Sequence, residues 1–194
     1  MILTYANQLT ILRMLFVPCF VLLLIYEHPK AATVLFLIAA VTDGLDGLIA
    51  RKLQQKTVLG SFLDPMADKI LLTAAFVTLT IPSLPLVLHI PTWLTVWTIS
   101  RDVIIALSVL IIHLQTHHSQ FPPSFLGKCT TALQLLTVGV CMLANFYADI
   151  ALMIFPFVTY TTLVFTFASG LHYAYKSIKL IASYQEAENA SSRN

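Results

Sequence analysis

Six long apolar runs dominate this sequence and restrict what the chain can fold into. Each run is close to the length of about 17 to 25 residues that an α-helix needs to cross the hydrocarbon core of a bilayer. The runs cover residues 9–26, 31–50, 61–80, 91–113, 126–147 and 150–175. Because 58% of the residues are hydrophobic and only 10% are charged, a soluble core of this size could not bury the apolar surface. The sequence therefore predicts an integral membrane protein.

The same runs predict an all-α fold with six transmembrane helices. A membrane β-barrel would show alternating polarity in segments of about ten residues, whereas these runs are continuous and about twice that length. Pro and Gly residues mark several of the breaks, including Pro29, Gly60 and Pro122-Pro123. We predict one membrane domain over residues 1–182 and a short polar tail over residues 183–194.

The distribution of Lys and Arg predicts the orientation of the helices. If the six runs all cross the bilayer, the basic residues on one side are Arg51, Lys52, Lys56, Lys128, Lys176, Lys179 and Arg193, and the other side has Lys30. Cytoplasmic loops carry the excess of basic residues, so we expect both termini to be cytoplasmic. The net charge of +2 is too small to indicate a nucleic-acid partner. The scattered cysteines Cys19, Cys129 and Cys141 give no zinc or disulfide spacing.

Acidic residues are concentrated in one stretch, DGLDGLIARKLQQKTVLGSFLDPMADK, which joins the second and third runs. Asp43, Asp46, Gly47 and Ala50 follow the spacing of one helix face, and Gly60, Asp64 and Asp68 follow that of another. Two antiparallel helices would bring these faces together at the cytoplasmic surface. Small residues beside the acids would let a ligand lie close to the backbone.

Carboxylates gathered at one place repel each other strongly in a low-dielectric environment. The nearby Arg51 and Lys69 could neutralise only part of that charge. An all-oxygen site of this kind suits Mg²⁺ or Mn²⁺ better than Zn²⁺. A pair of carboxylate-bound metals beside an Arg is suited to hold a diphosphate during phosphoryl transfer.

The stretch resembles the signature of the CDP-alcohol phosphatidyltransferases, D-x-x-D-G-x-x-A-R, eight residues, then G-x-x-x-D-x-x-x-D, which it matches in full. NQLTILR, SRDV and PSFLGKCTTALQ are similar to the branch of the family that makes phosphatidylglycerol phosphate or cardiolipin. The resemblance implies a membrane enzyme, generally a homodimer, that transfers a phosphatidyl group from CDP-diacylglycerol to an alcohol and releases CMP.

The resemblance also implies roles for individual residues. Asp43, Asp46 and Asp64 would hold one metal, and Asp68 would join in holding a second and act as the general base. The diphosphate of the CDP-lipid would be clamped by Arg51, and the nucleotide would lie against a surface formed by Asp43, Gly47, Ala50 and Gly60. The active site would thus lie at the cytoplasmic ends of the second and third helices.

The acceptor is predicted to be an anionic glycerol derivative that pairs with Arg13, Arg101 and Lys128, although these cations could also serve as an internal ion pair or as anchors at the membrane interface. SRDV and PSFLGKCTTALQ resemble the cardiolipin synthases more closely, whereas the short chain beginning almost directly at NQLTILR resembles bacterial phosphatidylglycerolphosphate synthases. Glycerol 3-phosphate is the first choice, because such synthases are the commoner bacterial members of this branch. The short form suggests a bacterial inner membrane. Phosphatidylglycerol, the acceptor of cardiolipin synthases, is the alternative.

A transporter of small cations or protons is the alternative from a different functional class, because acids within a membrane also mark ion pathways. A transporter would be expected to carry polar groups near the midplane of several spans. The clustering of the acids near one membrane surface beside Arg51 favours the transferase.

Overall fold

A computed structural model describes the backbone of residues 5–53, 58–116 and 124–191, and the side chains of residues 12, 14–42, 69–109 and 124–179. The described backbone forms six α-helices, and each overlaps one predicted run. They are α1 (Tyr5–Ile25), α2 (Pro29–Leu53), α3 (Val58–Leu79), α4 (Thr92–Thr116), α5 (Phe125–Leu143) and α6 (Ala148–Ser191). The prediction of an all-α fold is confirmed for the described part of the chain.

Three segments within the described residues are long and apolar enough to cross a membrane: Thr92–Val109, Phe125–Leu143 and Ala148–Lys179. The first three helices contribute the shorter apolar segments Met14–Ile25, Pro29–Thr42 and Lys69–Leu79. Apart from Leu12, the remaining side chains of α1 to α3 lie outside the described residues. The long apolar helices support an integral membrane protein, and the crossing of the bilayer by all six helices stays a prediction.

Helix α1 ends in a left-handed turn that leads directly into α2. Glu27 has a positive φ of 61°, and the amide of His28 donates to the carbonyl of Leu23 at 2.8 Å. This pattern satisfies carbonyls that the end of a helix leaves without partners. Pro29 then takes the first position of α2, where its missing N–H has no cost.

The described residues form two compact units, each of which draws residues from α5 and α6. The first unit falls within Met1–Pro91 and Leu135–Pro156. In it, α1 packs against both α2 and α3, and Val17, Ala39 and Leu71 form a buried cluster. The Thr33 hydroxyl joins α2 to α5 by donating to the Met142 carbonyl at 3.0 Å.

The second unit falls within Thr92–Gln134 and Phe157–Asn194 and packs α4, α5 and α6 together. Helices α4 and α6 run parallel, since Trp93 stacks on Tyr160 and Trp97 contacts Phe167 further along both helices. Helix α5 runs antiparallel to α6. Two hydroxyl contacts between α5 and α6 show this direction, one from Thr130 to the carbonyl of Phe165 at 3.1 Å and one from Thr162 to that of Leu133 at 3.3 Å.

Helix α6 is longer than its sequence pattern predicted. The apolar run ends near residue 175, but the helix continues to Ser191. At ~1.5 Å per residue its 44 residues extend about 66 Å, which is about twice the hydrocarbon thickness of a bilayer. The predicted polar tail of residues 183–194 therefore begins inside this helix, and its boundary as a separate segment stays a prediction.

Candidate functional site

The residues of the acidic signature lie on the two helices where the sequence placed them. Helix α2 contains Asp43, Asp46, Gly47, Ala50 and Arg51, and helix α3 contains Gly60, Asp64 and Asp68. Because α2 ends at Leu53 and α3 begins at Val58, both groups lie near the short connection between these helices. Their side chains are outside the described residues, so the meeting of the carboxylates stays a prediction.

The donor set of this signature fits a hard divalent cation. Carboxylate oxygens are the preferred ligands of Mg²⁺ and Mn²⁺, and the helical backbone places Asp43 and Asp46 about one turn apart. Among the side chains that the structure describes, no three His, Cys, Asp or Glu residues come together. The signature is the metal centre that the sequence predicts, and its side chains lie outside the described residues.

Arg101 is the predicted acceptor residue whose surroundings are best described. It lies in the apolar part of α4 and is only 5% exposed. Its Nη1 atom donates to Asp102 Oδ1 at 2.6 Å, and its Nη2 atom donates to Ser169 Oγ on α6 at 2.8 Å. The Nε atom is buried and has no hydrogen-bond partner in the described structure. A buried cation with an unused donor is suited to receive an anion.

The first turn of α5 lies against the same guanidinium group. Ser124 precedes α5, and its Oγ atom accepts from the amide of Gly127 at 3.0 Å, which is the usual contact of a helix N-cap. The Ser124 amide in turn donates to the hydroxyl of Tyr173 on α6 at 2.8 Å. The Tyr173 ring centroid is 6.0 Å from Arg101 Cζ. Residues from α4, α5 and α6 therefore meet here, and we call them the Arg101 cluster: Arg101, Asp102, Ser124, Gly127, Ser169 and Tyr173.

The cluster lies at the N-terminal end of α5, which stops short of the neighbouring helices α4 and α6. Helix α4 continues from Arg101 to Thr116, about 22 Å further, and α6 continues from Tyr173 to Ser191, about 27 Å further. The N-terminus of α5 thus lies between two helices that extend well beyond it. The amides at such a terminus carry partial positive charge, which adds to the charge of Arg101.

Lys128 lies in the same first turn of α5, directly after Gly127, and its side chain is exposed. The structure therefore brings the predicted acceptor residues Arg101 and Lys128 to the same end of the second unit. Arg13 lies in α1, and its side chain is outside the described residues. Its role stays a prediction.

Four members of the cluster were not predicted: Ser124, Gly127, Ser169 and Tyr173. A signal for the first two is present in PSFLGKCTTALQ, where Ser124 stands three residues before Gly127 at the start of an apolar run, as an N-cap residue does. Ser169 and Tyr173 share a helical face with Thr162 and Thr166. That row of hydroxyl groups within an apolar helix was the available signal for the α6 side of the cluster.

Gly127 is needed for the close approach of these three helices. A Cβ atom at this position would lie 3.1 Å from the Tyr173 hydroxyl oxygen and 3.3 Å from Arg101 Nη2. Both distances are tighter than ordinary van der Waals contact. A side chain here would push the guanidinium or the tyrosine away from the first turn of α5.

If Arg101 binds the predicted acceptor, Gly127→Ala should raise the KM for that acceptor several-fold, because the added methyl group displaces Arg101 or Tyr173. The matched control is Gly139→Ala in the same helix, where an added Cβ meets nothing within 4 Å. That change should leave KM unaffected and stabilise the protein by roughly 0.5–1 kcal/mol, because Ala is the better helix former. Steady-state kinetics and thermal unfolding of both variants test this. Equal acceptor KM values for Gly127→Ala and Gly139→Ala would show that the close packing of Arg101 and Tyr173 against Gly127 does not affect the acceptor.

Comparison with known proteins identifies the family to which the sequence is similar. The sequence matches the family model for CDP-alcohol phosphatidyltransferase over residues 3–168. It is 38% identical to the CDP-diacylglycerol–glycerol-3-phosphate 3-phosphatidyltransferase of Haemophilus influenzae, over 77% of this chain and 82% of that protein. The protein of the same name from Bacillus subtilis is 31% identical, over 88% of this chain and 93% of that protein.

A second named activity occurs among the similar proteins. The human cardiolipin synthase (CMP-forming) is 34% identical over 92% of this chain, and the chain spans 64% of the length of that protein. Similarity to both kinds of protein matches the two acceptor alternatives that the sequence left open.

Proposed function

The chain belongs to the CDP-alcohol phosphatidyltransferase family, and on that premise we propose that it transfers a phosphatidyl group from CDP-diacylglycerol to glycerol 3-phosphate. The products would be phosphatidylglycerol phosphate and CMP. The observation that carries this proposal is the complete acidic signature on α2 and α3. Family membership also favours the transferase over the transporter alternative.

The metal-holding role is assigned to the four acids of the signature. Asp43, Asp46 and Asp64 would hold one divalent cation, Mg²⁺ or Mn²⁺, and Asp68 would take part in holding a second. When bound, these ions supply positive charge that stabilises the phosphates of the CDP-lipid as charge moves onto the departing CMP.

Asp68 is the proposed general base. The acceptor hydroxyl is a weak nucleophile because its pKa lies far above 7, and a positioned carboxylate that takes its proton accelerates attack. The acceptor oxygen forms a bond to the phosphatidyl phosphorus as the P–O bond to CMP breaks. Arg51 would pair with the diphosphate through two N–H donors. The small residues Gly47, Ala50 and Gly60 would leave space for the nucleotide beside the helix backbone.

The Arg101 cluster is the proposed site for the phosphate of the acceptor. Three features support this role: a buried guanidinium with an unused Nε donor, the positive end of α5, and the exposed cation of Lys128 in its first turn. Arg13 is proposed as a further cation for the acceptor. Asp102 offsets part of the charge of Arg101, so the dianionic phosphate of glycerol 3-phosphate would gain from the remaining Nε donor, the α5 N-terminus and Lys128.

Loss of the positive charge of Arg101 or of Lys128 should weaken the binding of the acceptor more than the binding of CDP-diacylglycerol. We expect Arg101→Ala to raise the KM for glycerol 3-phosphate by about 10- to 100-fold, since a buried charge-assisted hydrogen bond is worth about 1.5–3 kcal/mol. Lys128→Ala should have a smaller effect, about fivefold or less, because its side chain is exposed. The KM for CDP-diacylglycerol should change little in both.

The control is Lys30→Ala, which removes an exposed cation from the other unit. Arg101→Lys keeps the charge and serves as a second variant if Arg101→Ala lowers the unfolding temperature. Equal increases in KM for both substrates would contradict a role that is specific to the acceptor.

Cardiolipin synthesis is the second candidate, in which phosphatidylglycerol replaces glycerol 3-phosphate. The specific observation in its favour is an apolar groove of about 130 Å³ between α4 and α6 beside Arg101. Half-exposed apolar side chains form much of its lining: Trp97, Ile104, Phe167 and Leu171. An acyl chain could lie in this groove, whereas glycerol 3-phosphate has none.

We further propose a bacterial inner membrane as the location, with both termini cytoplasmic by the positive-inside rule, and a homodimer as the assembly. The proposed partners are CDP-diacylglycerol, the anionic acceptor and membrane lipids.

A panel of acceptors tests the proposed reaction. Purified protein, CDP-diacylglycerol and Mg²⁺ are incubated with glycerol 3-phosphate or with phosphatidylglycerol, and the products are identified by mass. Phosphatidylglycerol phosphate from the first mixture is the expected result. Cardiolipin from the second, with no product from the first, would replace the first candidate by the second.

A further inference from the structure

One face of α6 contacts the two parts of the Arg101 cluster that could bind an anion. These parts are the Arg101 guanidinium and the first turn of α5. Ser169 is fully buried and accepts from Arg101 Nη2 at 2.8 Å. One turn later, Tyr173 is only 5% exposed and accepts the N–H of Ser124 at 2.8 Å. The two residues therefore connect α6 to the guanidinium of α4 and to the first turn of α5.

The contact from Ser169 restricts the direction of the guanidinium group. Arg101 is attached to α4 through a flexible side chain, and its adjacent partner Asp102 belongs to the same helix. Among the described residues, Ser169 is the hydrogen-bond partner of Arg101 that comes from a different helix. Because a guanidinium binds phosphate through a planar fork of donors, its orientation decides which N–H groups an anion can reach.

The contact from Tyr173 fixes the N-terminus of α5 relative to that fork. Its hydroxyl oxygen holds the Ser124 amide, and its ring lies 6.0 Å from Arg101 Cζ. Gly127 also shows how closely the first turn of α5 packs against Tyr173 and Arg101. A Cβ atom there would lie 3.1 Å from the Tyr173 hydroxyl oxygen and 3.3 Å from Arg101 Nη2. Small movements of Tyr173 thus change the distance between the guanidinium and the α5 amides.

We infer that Ser169 and Tyr173 are positioning residues that set the geometry of the acceptor site: Ser169 orients Arg101, and Tyr173 holds the first turn of α5 beside it. This inference rests on the proposed role of Arg101 in binding the acceptor phosphate. Neither residue is required to touch the substrate. Both act before the chemical step, so they affect the binding of the acceptor and leave the reaction of bound substrate unchanged.

The test uses single-atom changes in the full-length protein. Ser169→Ala should raise the KM for the acceptor about tenfold, because a hydrogen bond to a charged group is lost. Tyr173→Phe keeps the ring and loses only the hydroxyl, so a smaller rise of about threefold is expected, the size typical of a neutral hydrogen bond. In both variants kcat and the KM for CDP-diacylglycerol should stay within about twofold of the parent values.

Matched controls are available on the same helix. Ser177→Ala removes another buried serine hydroxyl, but one that bonds to a carbonyl of its own helix, that of Tyr173. Tyr175→Phe removes the hydroxyl of an exposed tyrosine. Neither control should change the KM for the acceptor.

A double-mutant comparison separates positioning from general support of the fold. Because Ser169 acts through Arg101, adding Ser169→Ala to Arg101→Lys should raise the acceptor KM by less than about twofold beyond Arg101→Lys alone. Effects of Ser169→Ala and Arg101→Lys that multiply would overturn the role of Ser169, and an unchanged acceptor KM in the single variants would overturn the inference. If Ser169→Ala fails to fold, Tyr173→Phe decides the question.

The reactions are run with glycerol 3-phosphate and with phosphatidylglycerol, since both acceptors carry a phosphate. Failure of the proposed function would appear as an absence of product from the parent protein with either acceptor, and the inference would fall with it. Failure of the inference alone would appear as normal turnover of the parent protein and unchanged acceptor KM in Ser169→Ala and Tyr173→Phe.

Discussion

Replacement of Asp43, Asp46 or Asp64 by Asn should lower kcat by about a thousandfold or more. Each change removes a negative charge from a coordination shell whose members act together, and the loss of one member costs nearly as much as the loss of all. Helix α2 or α3 should persist, because the change conserves size and removes charge repulsion. The measurement is kcat at saturating CDP-diacylglycerol and acceptor, with circular dichroism as the check on folding.

Asp149→Asn is the matched control, since Asp149 is an exposed acid in the first turn of α6, far along the chain from the signature. Its activity should equal that of the parent protein. Treatment with EDTA should abolish transfer, and added Mg²⁺ or Mn²⁺ should restore it. Full activity in Asp64→Asn, or in a chelated sample, would exclude the proposed metal centre.

Asp68→Asn should separate binding from chemistry. We expect kcat to fall by about 10²- to 10⁴-fold through loss of the general base, while CDP-diacylglycerol still binds because the other three acids can hold a metal. Arg51→Ala should behave in the opposite way. It loses a bidentate contact to the diphosphate, so its main effect should be weaker binding of CDP-diacylglycerol.

Equilibrium binding of labelled CDP-diacylglycerol and steady-state kinetics on both variants test this separation. An Asp68→Asn variant with a raised KM and an unchanged kcat would show that Asp68 has a binding role and is not the base. Complete loss of CDP-diacylglycerol binding in that variant would show that the second metal is required for binding as well.

The helices were predictable because hydrophobic length is a strong signal in a membrane protein. The run 91–113 corresponds to α4 (Thr92–Thr116), and the run 61–80 corresponds to α3 (Val58–Leu79). In both cases the limits agree within a few residues. In a bilayer every backbone polar group must be paired internally, so a long apolar run has few alternatives to a helix.

The extension of α6 was not predictable from the same signal. Beyond residue 175 the sequence becomes polar, and hydropathy then says nothing about backbone conformation. Helix propensity does account for the extension, since KLIASYQEAENAS contains several good helix formers and lacks Pro and Gly. Nothing in the apolar pattern indicates where such a continuation ends.

The sequence indicates those parts of the candidate site whose residues are close together in the chain. The acidic signature occupies consecutive helices at fixed spacing, and Arg101 and Lys128 stand out as cations near or within apolar runs. Ser169 and Tyr173 did not stand out, because a serine and a tyrosine are common in apolar helices. Their role depends on contacts with Arg101 and Ser124, which are distant in sequence and become adjacent only when α4, α5 and α6 pack.

The release of labelled CMP from CDP-diacylglycerol tests the proposed activity most directly. Purified protein is supplied with CDP-diacylglycerol labelled in the cytidine, with and without glycerol 3-phosphate, and with Mg²⁺ or with EDTA. The proposed function predicts that CMP is released only when both the acceptor and the metal are present, in equal amount to phosphatidylglycerol phosphate. No CMP release under any of these conditions, or release that is independent of the acceptor and the metal, would contradict it.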